Sequence, residues 1–117
     1  MSLFFIICVS RCHYPEIQLI FDAIGALQYL HSNDMIHCDI KPANWLIDGE
    51  DDTAVIKLAD FGMTVTSDAK EIMGGTPVYM APEHLLAWRH FTDEFDQRID
   101  IYSLGVVLYE LLLGYLP

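Results

Sequence analysis

Between Pro15 and Leu30 the apolar residues Ile17, Ile20, Phe21, Ile24 and Leu27 recur three or four positions apart, the spacing that gathers side chains on one face of an α-helix. Pro15 suits a first helical turn, so an amphipathic helix is expected over 15–30. The polar run His31-Ser32-Asn33-Asp34 breaks it. Short apolar pieces follow at Met35-Ile36, at Trp45-Leu46-Ile47 and from Ala54 to Ala59, and these predict short strands. The stretch Asp48-Gly49-Glu50-Asp51-Asp52 between the last two combines turn formers with charge. A solvated hairpin connection is expected there, because the ligand spacing of a calcium loop is missing. Thr64 to Gly75 keeps no sustained period and ends in two glycines, which predicts a mobile loop. Pro82 suits the opening of a short helix through Leu86. Arg98 to Leu113 is apolar nearly all round, the pattern of a helix buried in a core.

Composition narrows the classes. With 117 residues, 53% of them hydrophobic, the chain is at most one small domain. A net charge of −11 with only six Lys and Arg argues against a nucleic-acid partner, since phosphate backbones are bound by clustered cations. A basic peptide suits such a surface better, although solubility alone also explains acidity. Cys8, Cys12 and Cys38 form no CxxC pair and no zinc-type spacing, so reduced thiols and an intracellular, cytoplasmic setting are expected. The apolar run Leu3 to Val9 has no basic residue before it and reads as a buried segment rather than a signal. Leu104 to Leu113 is interrupted by Glu110 and is too short to span a bilayer. No membrane association is expected, and oligomeric state cannot be read.

Three signals in one order carry the chemistry. His37-Cys38-Asp39-Ile40-Lys41-Pro42-Ala43-Asn44 resembles the catalytic loop of the eukaryotic-type protein kinase family, written H-R-D-L-x-x-x-N. Asp60-Phe61-Gly62, after the strand-like piece ending at Ala59, resembles the family's Asp-Phe-Gly triplet. Gly75-Thr76-Pro77-Val78-Tyr79-Met80-Ala81-Pro82-Glu83 resembles the end of its activation segment. Each alone has a plainer reading as turn formers or a capped helix. Asp100-Ile101-Tyr102-Ser103-Leu104-Gly105 is a supporting match to the start of the family's buried F helix, with Tyr102 where Trp is more usual.

The resemblance implies an α+β fold: the partial C-terminal lobe of a kinase, mainly helical, with short β-hairpins carrying the catalytic loop (37–44) and activation segment (60–83). It also implies transfer of the ATP γ-phosphoryl group to a protein hydroxyl. A hydroxyl attacking phosphorus needs a carboxylate to orient it and take its proton, and oxygen ligands that hold magnesium against the phosphates. The resemblance assigns Asp39 to the first task, and Asn44 and Asp60 to the second. Lys41 would neutralise charge developing on the transferred group, and with Pro42 it favours Ser/Thr over Tyr as acceptor. ATP contacts are implied for Lys41, Asn44, Leu46 and Asp60, and a place in the substrate pocket for Thr76. Structural support falls to His37, Phe61, Gly62, Glu83 and Asp100; the last would anchor the catalytic-loop backbone, since an unpaired buried carboxylate is costly. Ser2 to Ile7 matches the region just after the family's hinge.

Two departures qualify these expectations. Cys38 stands where most members carry an Arg that pairs with a phosphorylated activation-loop residue, which puts that mode of regulation in doubt. Thr64, Thr66 and Ser67 are candidate phosphate acceptors, or ordinary exposed hydroxyls. The 117 residues also contain no glycine-rich loop, no V-A-I-K-type lysine and no partner glutamate, and they end just after the F-helix match. If three or four of Leu104, Val107, Leu108, Leu111 and Leu112 lack cover, about 5–12 kcal/mol of burial is forfeited. The chain alone is therefore expected to be marginally stable and inactive. Its parent is expected to be a protein serine/threonine kinase. The alternatives are a non-catalytic truncated kinase acting as a binding or regulatory module, and a decayed gene remnant.

Overall fold

The computed structural model describes residues 16–49 and 53–117. The expectations for Pro15, for 1–9, for Cys8 and Cys12, and for the acidic turn residues 50–52 lie outside the described residues. Among the described residues, three α-helices and four short strands make an α+β architecture: α1 (Glu16–Ser32), β1 (Met35–Ile36), β2 (Trp45–Asp48), β3 (Val55–Leu58), β4 (Val65–Thr66), α2 (Pro82–Trp88) and α3 (Arg98–Leu113). Single 3-10 turns at Pro42–Asn44 and Pro77–Tyr79 open on prolines, whose fixed φ suits a first helical position.

Strands β2 and β3 form the expected hairpin, with Trp45 opposite Leu58 and Ile47 opposite Ile56. Gly49 takes φ 103 at its turn, a left-handed conformation that glycine adopts without strain. The second sheet differs from expectation, because it is no hairpin. Met35 pairs with Thr66 and Ile36 with Val65, joining segments on either side of the stretches 37–44 and 60–62. The stretch 64–75 is therefore anchored near its start by β4. A strand of two residues gives no alternation to read; it exists because β1 offers it a ladder.

Two apolar cores flank the region between these sheets. One gathers Ala23 and Leu27 of α1, Ile40, Trp45, Ile56, and Leu104 and Val107 of α3. The other gathers Ile36, Cys38, Ile72, Ala81, Ala87 and Ile99. Along 36–40 the chain sends Ile36 and Cys38 into the second core and Ile40 into the first, so the loop is clamped from both sides.

The helices are less enclosed than their composition suggests. In α1 the buried positions are Ala23, Leu27 and Leu30, while Phe21 is 63% exposed; the side chain of Ile17 lies outside the described set. Helix α3 keeps the expected limits and ends on Gly114 at φ 81, whose N–H donates to the Glu110 carbonyl at 2.8 Å, a left-handed cap. It buries Ile99, Asp100, Ser103, Leu104, Val106 and Val107, but Ile101 (53%) and Leu112 (61%) face outward. Of the leucines and valine expected to lose cover, Leu104 and Val107 are buried and Leu112 is open. The helix is buried on one face rather than on all sides, because no described element packs on the other. Helix α2 continues two residues beyond Leu86, to Trp88.

Candidate active site

The stretch 37–44 is fixed by its backbone before any side chain acts. Asp100, at the start of α3, is 1% exposed. Its Oδ2 accepts the N–H of His37 at 2.8 Å and its Oδ1 the N–H of Cys38 at 2.9 Å. A buried carboxylate without partners would cost several kcal/mol, so these bonds satisfy the acid and immobilise the loop together. Cys38 takes φ 68, a left-handed kink that turns the chain between the two cores. Its thiol points at the Ile36 carbonyl (3.6 Å). Burial, reinforced by the Asp100 charge, pushes that thiol up to about 12, so it is neutral at physiological pH.

His37 is fully buried. Its Nδ1 accepts the N–H of Asp39 at 3.2 Å, which places the ring proton on Nε2, donated to the Ala59 carbonyl at 3.1 Å. The ring also meets Phe61 edge to face, centroids 5.3 Å apart. His37 thereby spans from the start of one motif to the start of the next.

Asp39, Lys41 and Thr76 converge. The Thr76 hydroxyl donates to Asp39 Oδ1 at 2.8 Å, and Lys41 Nζ donates to Thr76 Oγ1 at 3.2 Å. Lys41 Nζ also lies 3.4 Å from Asp39 Oδ2. Asn44, buried in the 3-10 turn, donates its amide to the Asp39 carbonyl at 2.8 Å, which leaves its side-chain oxygen available as an acceptor. The Ala59 N–H donates to the Asn44 carbonyl at 2.8 Å, extending the hairpin ladder until Asp60 follows directly. Asp60 has φ 59 and an exposed carboxylate, whose Oδ1 makes only a long contact, 3.3 Å, with the Gly62 N–H. Leu46 is on the open side of β2, 41% exposed, between buried Trp45 and half-buried Ile47.

The segment carrying Thr76 is tied down on both sides. A Cβ on Gly75 (φ 143) would lie 2.7 Å from the Cys38 carbonyl oxygen, so glycine is what permits this approach. His84 Nε2 donates to the Gly74 carbonyl at 2.8 Å. The Ser103 hydroxyl donates to the Tyr79 carbonyl at 2.6 Å, and the Tyr79 hydroxyl to Glu110 Oε2 at 2.6 Å. Burial and the Glu110 carboxylate both push the Tyr79 phenol upward. Glu83 lies half-buried in the first turn of α2, with no hydrogen-bond partner for its carboxylate among the described residues.

Sequence reasoning passed over His31, Gln97, Ser103, Tyr79 and Glu110 as individual participants. Each acts across more than twenty intervening residues, and no local pattern marks such a partner. The three hydroxyls in 64–67 also differ from one another. Thr64 Oγ1 is buried without a partner among the described residues, Thr66 donates to Asp68, and Ser67 accepts from Gln97 at 3.0 Å. No helix among the described residues is long and apolar enough to cross a membrane.

A family model described as "Protein kinase domain" matches residues 10–117. The chain is 42% identical over 96 residues to a probable myosin light chain kinase of Dictyostelium discoideum, covering 80% of this chain and 26% of that protein. It is 40% identical over 118 residues to a calcium/calmodulin-dependent protein kinase type II of Caenorhabditis briggsae, covering 93% and 21%. It is 43% identical over 98 residues to the serine/threonine-protein kinase TIO of Arabidopsis thaliana, covering 80% and 7%. The chain thus spans about a quarter or less of the length of these relatives.

Proposed function

The chain belongs to the protein kinase domain family, and from that premise we propose that the protein carrying it transfers the γ-phosphoryl group of ATP to Ser or Thr hydroxyls of protein substrates. The observation that supports this best is the convergence of Asp39, Lys41 and Thr76 on one hydroxyl. The carboxylate already orients a threonine O–H, with a cation alongside. A substrate hydroxyl needs that same arrangement at Asp39 Oδ2, which Thr76 does not occupy and which takes only long contacts, 3.4 Å each, from the Asn44 amide and Lys41 Nζ. Asp39 accepts its proton as the new oxygen–phosphorus bond forms and the bond to the ADP oxygen breaks. Lys41 offsets charge on the transferred group. Asn44, held by the Asp39 carbonyl, keeps its position relative to that base.

Magnesium suits the donors present. The Asn44 side-chain oxygen and the exposed Asp60 carboxylate are hard oxygen ligands, and one or two protein carboxylates completed by phosphates and water is the usual magnesium arrangement. Among the described residues no cluster of three or more His, Cys, Asp or Glu would favour an all-protein metal cage. Held by Asn44 and Asp60, the ion would supply neutralisation of the phosphate charge. Leu46 offers an apolar contact to the nucleotide base from the open face of β2. Thr76 shapes the substrate pocket, and Glu83 and Phe61 support the activation segment.

The test is magnesium-dependent transfer from ATP to a Ser/Thr peptide by the full-length protein that carries this chain. Asp39→Asn keeps the shape but removes the proton acceptor and is expected to lower kcat at least about 100-fold, within the range of a lost general base. Wild-type rates in that variant would overturn the assignment of Asp39.

A further inference from the structure

Helix α2 buries two side chains, His84 and Ala87. Ala87 packs in the second core with Cys38, and Ala81, directly before the helix, packs there too, so α2 is a fixed mount. His84, 1% exposed, is harder to explain by packing. Its Nε2 lies 2.8 Å from the Gly74 carbonyl oxygen, and since a carbonyl can only accept, the ring proton is on Nε2. Nδ1 then carries a lone pair alone, and it is buried with no partner among the described residues. An unpartnered buried polar atom costs free energy that an apolar side chain of similar size would not. What the imidazole supplies in return is the one bond it makes.

That bond acts at the most crowded point of the segment carrying Thr76. The place a methyl on Gly75 would take lies 2.7 Å from the Cys38 carbonyl oxygen and 3.0 Å from His84 Cε1. One ring therefore holds the Gly74 carbonyl by a hydrogen bond and closes the space beside Gly75 by contact. Among the described residues no other hydrogen bond holds the backbone of 73–75. Gly74 is buried, and two residues later the Thr76 hydroxyl donates to Asp39 at 2.8 Å.

We propose that His84 is a positioning residue for phosphoryl transfer: by donating to the Gly74 carbonyl it sets how near Thr76 comes to Asp39 and Lys41, and hence how the substrate hydroxyl meets Asp39. Without that donor, 73–75 has no polar tie. Two consecutive glycines offer no side chain to hold the backbone and restrict its dihedrals least of all residues, so Thr76 drifts from its partners. His84 touches neither substrate nor the reacting atoms and acts entirely through Gly74 and Gly75.

This inference rests on the kinase reading, and the experiment separates the two. His84→Leu removes the donor, and His84→Gln keeps one near the Nε2 position; both are made in the full-length protein that carries this chain. For His84→Leu, kcat for a Ser/Thr peptide is expected to fall about 10- to 100-fold, as for a small misplacement of a catalytic group. KM for ATP should stay within about twofold, and His84→Gln should recover most of kcat. The thermal midpoint of His84→Leu should stay within about 4 °C of wild type, because removing the unpartnered Nδ1 offsets the lost bond. Independently of activity, the nitrogen resonances of the His84 ring, identified by their absence in His84→Gln, should show the neutral ring protonated at Nε2 and bare at Nδ1. A wild-type protein that transfers no phosphoryl group removes the kinase reading, and this inference with it. An active wild type in which His84→Leu keeps full kcat overturns the inference alone. Equal losses of kcat in the Leu and Gln variants would show that the shape of the ring matters and its donor does not, and a ring protonated at Nδ1 would remove the bond itself; either result also overturns it.

Discussion

Replacing Gly75 with alanine tests whether the close approach of the segment carrying Thr76 to the stretch 37–44 matters for the proposed activity. Two costs add at this position. The residue adopts φ 143, a conformation that costs an L-residue about 1–3 kcal/mol. The new methyl would also stand 2.7 Å from the Cys38 carbonyl oxygen, 2.8 Å from Met80 Cε and 3.0 Å from His84 Cε1. Met80 ends in a flexible methyl and can move. The Cys38 carbonyl cannot do so cheaply, because the Cys38 N–H is bonded to Asp100 at 2.9 Å. Restoring ordinary contact, about 3.4 Å, needs a shift of about 0.7 Å, and the segment holding Thr76 is the softer partner. Thr76 then leaves its 2.8 Å bond to Asp39. The expected outcome is a fall in kcat of at least about tenfold, with a loss of about 1–3 kcal/mol in stability from the backbone strain. Steady-state peptide phosphorylation and thermal unfolding of the full-length protein measure the two. A Gly75→Ala protein with kcat within twofold of wild type and an unchanged midpoint would refute this reasoning.

Glycine in the opposite situation should behave oppositely. Gly25 lies inside α1 with nothing within 4 Å of the place a methyl group would take, so Gly25→Ala should raise stability by about 0.5–1 kcal/mol, read from a chemical denaturation midpoint. The Cys38 thiol, raised to about 12 from an ordinary 9.0, should resist alkylation at pH 8 in the folded protein and react on denaturation. The same shift means that the folded state holds the proton more tightly. Cys38 should therefore weaken folding as pH rises between 9 and about 12, and Cys38→Ala should show a smaller loss across that window.

The motifs were legible because their chemistry is local. Asp39, Lys41 and Asn44 occupy one loop, and Asp60 follows a strand whose apolar run announces it. The limits of α3 were legible to the residue, since Gly114 and the largely apolar run before it mark them. What sequence could not supply was partnership at a distance. His31 reads as the first residue of a polar break, and only its position opposite Asp100 gives it a role. Strand β4 has too few residues for a period and depends wholly on β1. The apolar surplus of α3 shows that much of the helix tends to be covered, but not which face the described fold covers. Thr64, grouped in sequence with two exposed residues, is half-buried with its hydroxyl oxygen covered, for reasons that only packing reveals.

The two-residue ladder between β1 and β4 has a thermodynamic consequence. Pairing Met35 with Thr66 closes a loop of about 30 residues, at an entropic cost of roughly 3 kcal/mol from its length. That loop contains both Asp39 and Asp60. Four residues of sheet, helped by the Ser67 N–H donating to the Asp34 carbonyl at 2.8 Å, hold it shut. Such a clasp sits at the low end of local stability. When it opens, the segment that follows Asp60 is released while the Asp100 bonds to His37 and Cys38 still hold the stretch bearing Asp39, so the two halves of the assembly have separate lifetimes.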